Sequence, residues 1–208
     1  MEERIYEVLH GVPVNADYAV DATDLDAGDI PQSRIDDVMG LLGSKQGSEV
    51  DFLAAKLLAS WGYQEGLFAL NRYVDDLGSV AGLIIHRIYG YDDTYRFILL
   101  ALTGYFASVS DKGEATRARE DIYNPISKII LFSNAASFEI SDFFWLVEKK
   151  GFLEYVPALR EHLMEIIDQP EVHRWKINDV IRLLSKVDHG FVSSFLQLKG
   201  KAVGDFNV

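Results

Sequence analysis

Apolar residues return at steps of three and four over the last quarter of the chain. Between Gly151 and Asp188, the residues Phe152, Val156, Leu159, Leu163 and Ile166 fall on one helical face. Glu154, Arg160, Glu161 and Glu165 fall on the other. Asp168-Gln169-Pro170-Glu171 breaks the pattern. A second stripe follows, made of Ile177, Val180, Ile181, Leu184 and Val187, with Lys176, Asp179, Arg182 and Lys186 outside it. Pro157 stands near the start of the first helix, where a missing backbone N–H costs least. Two helices joined by so short a turn must lie antiparallel and share a face. One such pair leaves an apolar side uncovered, which predicts stacked helix pairs.

The preceding chain predicts more helices. Ser33 can cap a short helix carrying Ile35, Val38, Leu41 and Leu42, and Gly43 to Ser48 breaks it. Asp51 to Trp61 is apolar nearly all round except at Lys56 and Ser60, as in a helix buried on several sides. Glu65 to Leu77 is amphipathic. Residues 79–89, SVAGLIIHRIY, read as a packed helical segment, and Thr94 to Val109 as another helix. The charged run 114–121 opens a helix that Asn124-Pro125 interrupts or restarts. Phe138 to Lys149 is an aromatic helix and Phe191 to Leu198 a short closing one. Leu57 to Tyr63 aligns with Leu99 to Tyr105 at an offset of 42, and Leu57-Leu58 matches Leu183-Leu184 at 126. That period lies in the range of about 40–47 residues of HEAT and armadillo units.

Tyr155-Val156-Pro157-Ala158-Leu159, then Asp168, Pro170, Val172 and Arg174 ahead of an apolar second helix, resembles a HEAT repeat unit. The likeness is clearest over residues 152–188. It implies an Asp–Arg ladder between units, an α-solenoid and a role in binding other proteins. The expected fold is therefore all-α: stacked antiparallel helix pairs forming a short HEAT/armadillo-like solenoid over residues 32–200. An acidic segment, 1–31, precedes it and a flexible tail, 201–208, follows.

Composition narrows the chemistry. The chain has no cysteine, which excludes disulfides, thiolate nucleophiles and cysteine zinc sites and suits a reducing compartment. Its first residues lack the basic start and apolar run of a signal peptide, and no apolar stretch reaches the roughly 20 residues that span a bilayer. A cytoplasmic location is expected. The net charge is −12, and residues 1–51 carry 12 acidic against 3 basic side chains. Such a field repels phosphate backbones, so no direct nucleic-acid binding is expected, and it favours a basic protein partner.

Recognisable catalytic motifs are absent. Asp17, Asp21, Asp24, Asp26 and Asp29 suggest a calcium loop, but the spacing fails. From Asp21, Thr23 and Leu25 occupy ligand places and no Glu stands twelfth; from Asp24, Asp29 stands where glycine is needed. The five histidines show no H-E-x-x-H spacing, and no nucleophile elbow, phosphate loop or dinucleotide fingerprint occurs. Glu161 and Glu165 share a helical face and could hold Mg²⁺ only if another helix brought more carboxylates. No metal, no cofactor and no catalytic residue is assigned, and the chain is not expected to be an enzyme.

The residues expected to bind a partner are the acids at the starts of successive inner helices, Asp51, Asp92, Asp93, Glu139, Asp142 and Glu171, with Trp175. Trp61, Trp145 and Trp175 all have apolar neighbours, which makes core packing their ordinary role. In size, charge and lack of cysteine the chain is similar to bacterial immunity proteins. That likeness implies an acidic inhibitor, monomeric when free, that neutralises a basic partner such as a nuclease toxin. An adaptor or scaffold is the alternative, and an all-α Mg-dependent hydrolase a more distant one.

Overall fold

The computed structural model describes residues 3–44, 47–76 and 78–206. Met1, Glu2, Lys45, Gln46, Leu77, Asn207 and Val208 lie outside the described residues. They belong to the expected acidic segment, the 43–48 break, the end of the 65–77 helix and the tail.

The described residues are helical and form no strand. The α-helices are α1 (Glu3–His10), α2 (Gln32–Leu41), α3 (Ser48–Ser60), α4 (Gln64–Asp75), α5 (Thr94–Asp111), α6 (Ala115–Phe132), α7 (Phe144–Lys150), α8 (Val156–Ile166), α9 (Pro170–Val187) and α10 (His189–Lys199). Short 3-10 turns span Ala22–Asp24, Ala27–Asp29, Ser141–Phe143, Leu153–Tyr155 and Val203–Phe206. No helix among them is long and apolar enough to cross a membrane.

Helix α3 is apolar all round because it lies between two cores. Phe52, Ala55 and Ala59 join the main cluster, which runs through α4, α5, α6, α8 and α9 to Phe206. Val50, Ala54, Leu57, Leu58 and Trp61 join a second cluster with Leu9, Ala16, Ala22, Leu25, Ile30, Ile35 and Val38. The N-terminal segment is thus packed onto α3, and the Trp61 indole N–H donates to the Ala22 carbonyl at 2.8 Å. Its aspartates hold its own turns. Asp21 and Asp24 form a reciprocal cap around Ala22–Asp24, and Asp29 accepts from Asn15 and Tyr18.

Helices contact their neighbours in a regular order. α3 packs on α4 and α5, α5 on α6 and the Ser141–Phe143 turn, and α7 on that turn and α9. α4 packs on α6, α6 on α8, and α9 on both α8 and α10. α3 and α4 approach closely at Gly66, where an added Cβ would stand 2.3 Å from the Ala59 amide nitrogen.

Four expectations are corrected. Residues 79–89 form turns, with Gly82 at positive φ; Val80 is buried and Leu83 and Ile84 pack on the core, while Ile85, Ile88 and Tyr89 are exposed, Ile88 at 80%. Apolar density without a continuous helical face buried only part of the segment. Lys176, placed outside the stripe of its helix, is buried, because its ammonium caps the end of α6 by donating to the Ser133 and Ala136 carbonyls. The described part of the tail, 201–206, is held: Phe206 is buried against the core and Val203–Phe206 contacts α9. The 42-residue offset aligns unlike positions. Gly62 ends α3 in a turn at φ +82°, whereas Gly104 lies inside α5, its added Cβ 3.2 Å from the Ser60 Cα.

Candidate partner-binding cleft

Between α4 and α5 the chain makes a tight loop that presents aromatic side chains beside α9. Asp92 fixes its base, accepting from the Gly82 and Thr94 amides at 2.8 and 3.0 Å. An isolated antiparallel bridge joins Ile85 to Asp92, and the His86 amide donates to the Tyr91 carbonyl at 2.9 Å. The positive φ of Gly90 closes the turn. His86, Tyr89 and Tyr91 are thereby stacked. The His86 ring lies 5.0 Å from Tyr89 and 4.7 Å from Tyr91, and the two tyrosine rings are within 5° of parallel. Trp175, in the second turn of α9, extends the stack, its ring 6.5 Å from Tyr91 at 21°.

This aromatic wall borders an open cleft of about 740 Å³. Glu139, Glu171 and Asp179 supply its charged lining, together with Ser137 and Val172; none of the described lining residues is a lysine or arginine. Glu171 lies in the first turn of α9, where the helix dipole favours an anion. Burial, followed by the charge of Glu139, raises the Asp179 pKa. Burial and then Asp93 raise that of Tyr91. Burial is the main cause of both shifts, and the neighbouring acid adds to each. A second depression, of about 350 Å³, shares Glu139 and Asp179 and continues along α9 to Arg182 and Lys186. There Lys186 pairs with Glu148 at 2.9 Å.

The acids singled out from the sequence divide into three groups. Glu139, Glu171 and Trp175 meet in the cleft. Asp93, Glu139 and Asp142 converge on Arg96. Its Nε donates to Asp142 at 2.7 Å, and its terminal nitrogens lie 3.7 Å from Asp93 and Glu139. Asp93 is buried, with one carboxylate oxygen lacking a hydrogen-bond partner, so neither it nor Asp142 is a free surface acid. Asp51 and Asp92 are structural. Asp51 accepts from the Gly43 amide and the Tyr73 hydroxyl, outside the cleft lining. The aspartate expected to form a ladder, Asp168, instead pairs with Lys199 and Lys201.

His86, Tyr89, Tyr91 and Asp179 were not among the residues expected. The Gly-Tyr-Asp-Asp run at 90–93 was the available signal of a turn. Glu161 and Glu165 are exposed, and no group of three or more His, Asp or Glu side chains among the described residues is gathered to hold a metal. No family model matches the chain, and no curated protein or solved structure matches it either.

Proposed function

We propose that the chain is a protein-binding α-solenoid that grips a basic segment of another protein in the cleft beside Trp175. The observation that carries this reading is the cleft itself: three carboxylates, no lysine or arginine among the described lining residues, and a wall of aligned rings. The order of helix contacts supports a solenoid. α3, α5, the Ser141–Phe143/α7 segment and α9 follow one another as one layer, and α4, α6 and α8 as the other. The acids expected to face a partner stand near the starts of the first layer's members. A net charge of −12 adds long-range attraction for a basic protein and speeds encounter at low salt.

The most concrete form of the proposal is an immunity-type inhibitor that covers the nucleic-acid surface of a basic nuclease toxin. An adaptor would use the same cleft on a different basic partner. The test is a paired capture from native lysate with the wild-type chain and the triple variant Glu139→Gln, Glu171→Gln, Asp179→Asn. Support is a basic protein retained by the wild type at low salt, released at high salt and lost with the variant. A partner retained equally by both chains would refute the role of the cleft.

A further inference from the structure

We infer that the cleft recognises arginine, in preference to lysine, on its partner: a guanidinium stacks on the Trp175–Tyr91–His86 wall while Glu139, Glu171 or Asp179 receives its N–H groups. This rests on the basic-partner reading above and specifies the chemistry of the side chain it takes.

The wall selects for a flat cation. Its rings lie within 28° of parallel, with successive centroids 4.7 to 6.5 Å apart; His86, Tyr91 and Trp175 are each half-buried and Tyr89 is 73% exposed, so the wall keeps aromatic surface open to a ligand. A guanidinium is planar, delocalised and weakly hydrated, and it stacks on such faces. An ammonium is compact and holds its water, so the same wall offers it less. The carboxylates act on the same difference, because a carboxylate matches the two-pronged guanidinium fork and meets an ammonium only as a point charge.

The surroundings compensate this negative charge only in part. Asp93, 3% exposed, lies close enough to His86 and Tyr91 for their electrostatics to be coupled, and its Oδ1 has no hydrogen-bond partner. Elsewhere the same acids already hold a guanidinium: Arg96 lies among Asp93, Glu139 and Asp142. A nucleobase also stacks on aromatic rings, but the phosphates beside it would meet three lining carboxylates. The arginine seat lies at the Glu171–Trp175 end of the groove, because Arg182, which acts on Asp179, and Lys186 bring positive charge to the other.

The test uses the full chain with tetra-arginine and tetra-lysine peptides of equal charge. Affinity is read by calorimetry at low salt, and contact by the Trp175 indole N–H resonance, assigned with Trp175→Phe. The expected result is that tetra-arginine binds about tenfold tighter and shifts the Trp175 signal. Trp175→Ala, checked for an unchanged melting temperature, should lose that advantage and retain the weaker lysine binding. Equal affinities with a shifted Trp175 signal would overturn the arginine preference and leave the basic-partner reading standing. Binding of neither peptide would overturn both. Tetra-arginine binding that leaves the Trp175 signal unmoved would place the seat elsewhere and overturn the inference.

Discussion

Acid should unfold this protein through two histidines that never touch solvent. His162 and His173 are buried beside Lys176, between α8, α9 and the end of α6. The His162 Nδ1 is 2.5 Å from the Asn134 side-chain oxygen, an acceptor, so Nδ1 carries the proton; Nε2 is buried without a partner. His173 likewise has a buried, unpartnered Nδ1. A second proton on either ring would be a buried charge with no acceptor, beside an ammonium. Burial first, and the Lys176 charge second, push His162 down to about 3 and His173 to about 4.

The sign follows from linkage. Both folded pKa values lie below the unfolded value of about 6.5, so the unfolded chain takes up protons first as pH falls. Stability is complete above pH 6.5 and is lost as pH drops through the window down to about 4 and 3. At pH 5 each histidine lies about 1.5 units below its unfolded pKa and costs about 2 kcal/mol. Together they remove about 4 kcal/mol from a domain whose whole stability is on the order of 5–15 kcal/mol. Between pH 6 and 5 the slope approaches about 2.7 kcal/mol per unit, twice the single-proton value. Carboxylates with lowered pKa, such as Glu154 and Asp168, act mainly at lower pH. The assay is urea unfolding at half-unit steps from pH 7 to 5, with constant m showing that only stability changes. His162→Gln/His173→Gln should start less stable and keep only a shallower slope across this window, to which His10, whose pKa burial also lowers, contributes. A wild-type slope under about 0.5 kcal/mol per unit, or a double variant as steep as wild type, would refute the reasoning.

Three further outcomes follow from packing and charge. Lys176 is pushed down to about 8 by burial, so the folded chain loses its proton before the unfolded one does. Stability should therefore rise between pH 8 and about 9.5, read by denaturant midpoint, and Lys176→Met should abolish that rise. Gly66→Ala should lower stability by about 1–3 kcal/mol, seen as a lower melting temperature, because its Cβ would stand 2.3 Å from the Ala59 nitrogen and 2.7 Å from the Ala55 carbonyl oxygen. Phe206→Ala should cost about 3 kcal/mol in urea unfolding, where a loose tail would cost nothing.

The sequence discloses some of these features and conceals others for identifiable reasons. The buried stripes of α8 and α9 are legible because helical periodicity reports directly which residues share a face. The unusual α3 pattern is legible because only a helix between two cores needs apolar residues on every side. Lys176 is concealed. Its partners, the Ser133 and Ala136 carbonyls, lie some 40 residues earlier, and periodicity contains nothing about a distant helix end. The 79–89 segment misleads because its apolar residues satisfy a density criterion without a helical face. The acids are half legible: their positions at helix starts can be read, but Arg96, which draws three of them inward, gives no local sign.

That arrangement makes Arg96 the residue on which fold and binding should pull in opposite directions. Its guanidinium offsets part of the charge of Asp93, Glu139 and Asp142, and Glu139 also lines the cleft. Arg96→Ala leaves three carboxylates close together with their counter-ion gone. The site is partly solvated, so the expected loss is about 1–3 kcal/mol, less than for a fully buried pair. The same change adds one negative charge beside the cleft. Attraction for a cationic peptide should rise, with tetra-arginine associating about threefold to tenfold faster at low salt and the gain fading as salt is added. A residue that served the fold alone would lower stability without improving binding. One that shaped the cleft only sterically would change binding at every salt concentration alike. Reduced stability, together with faster and salt-sensitive association, is the combination required if the acids behind the wall set the potential in front of it.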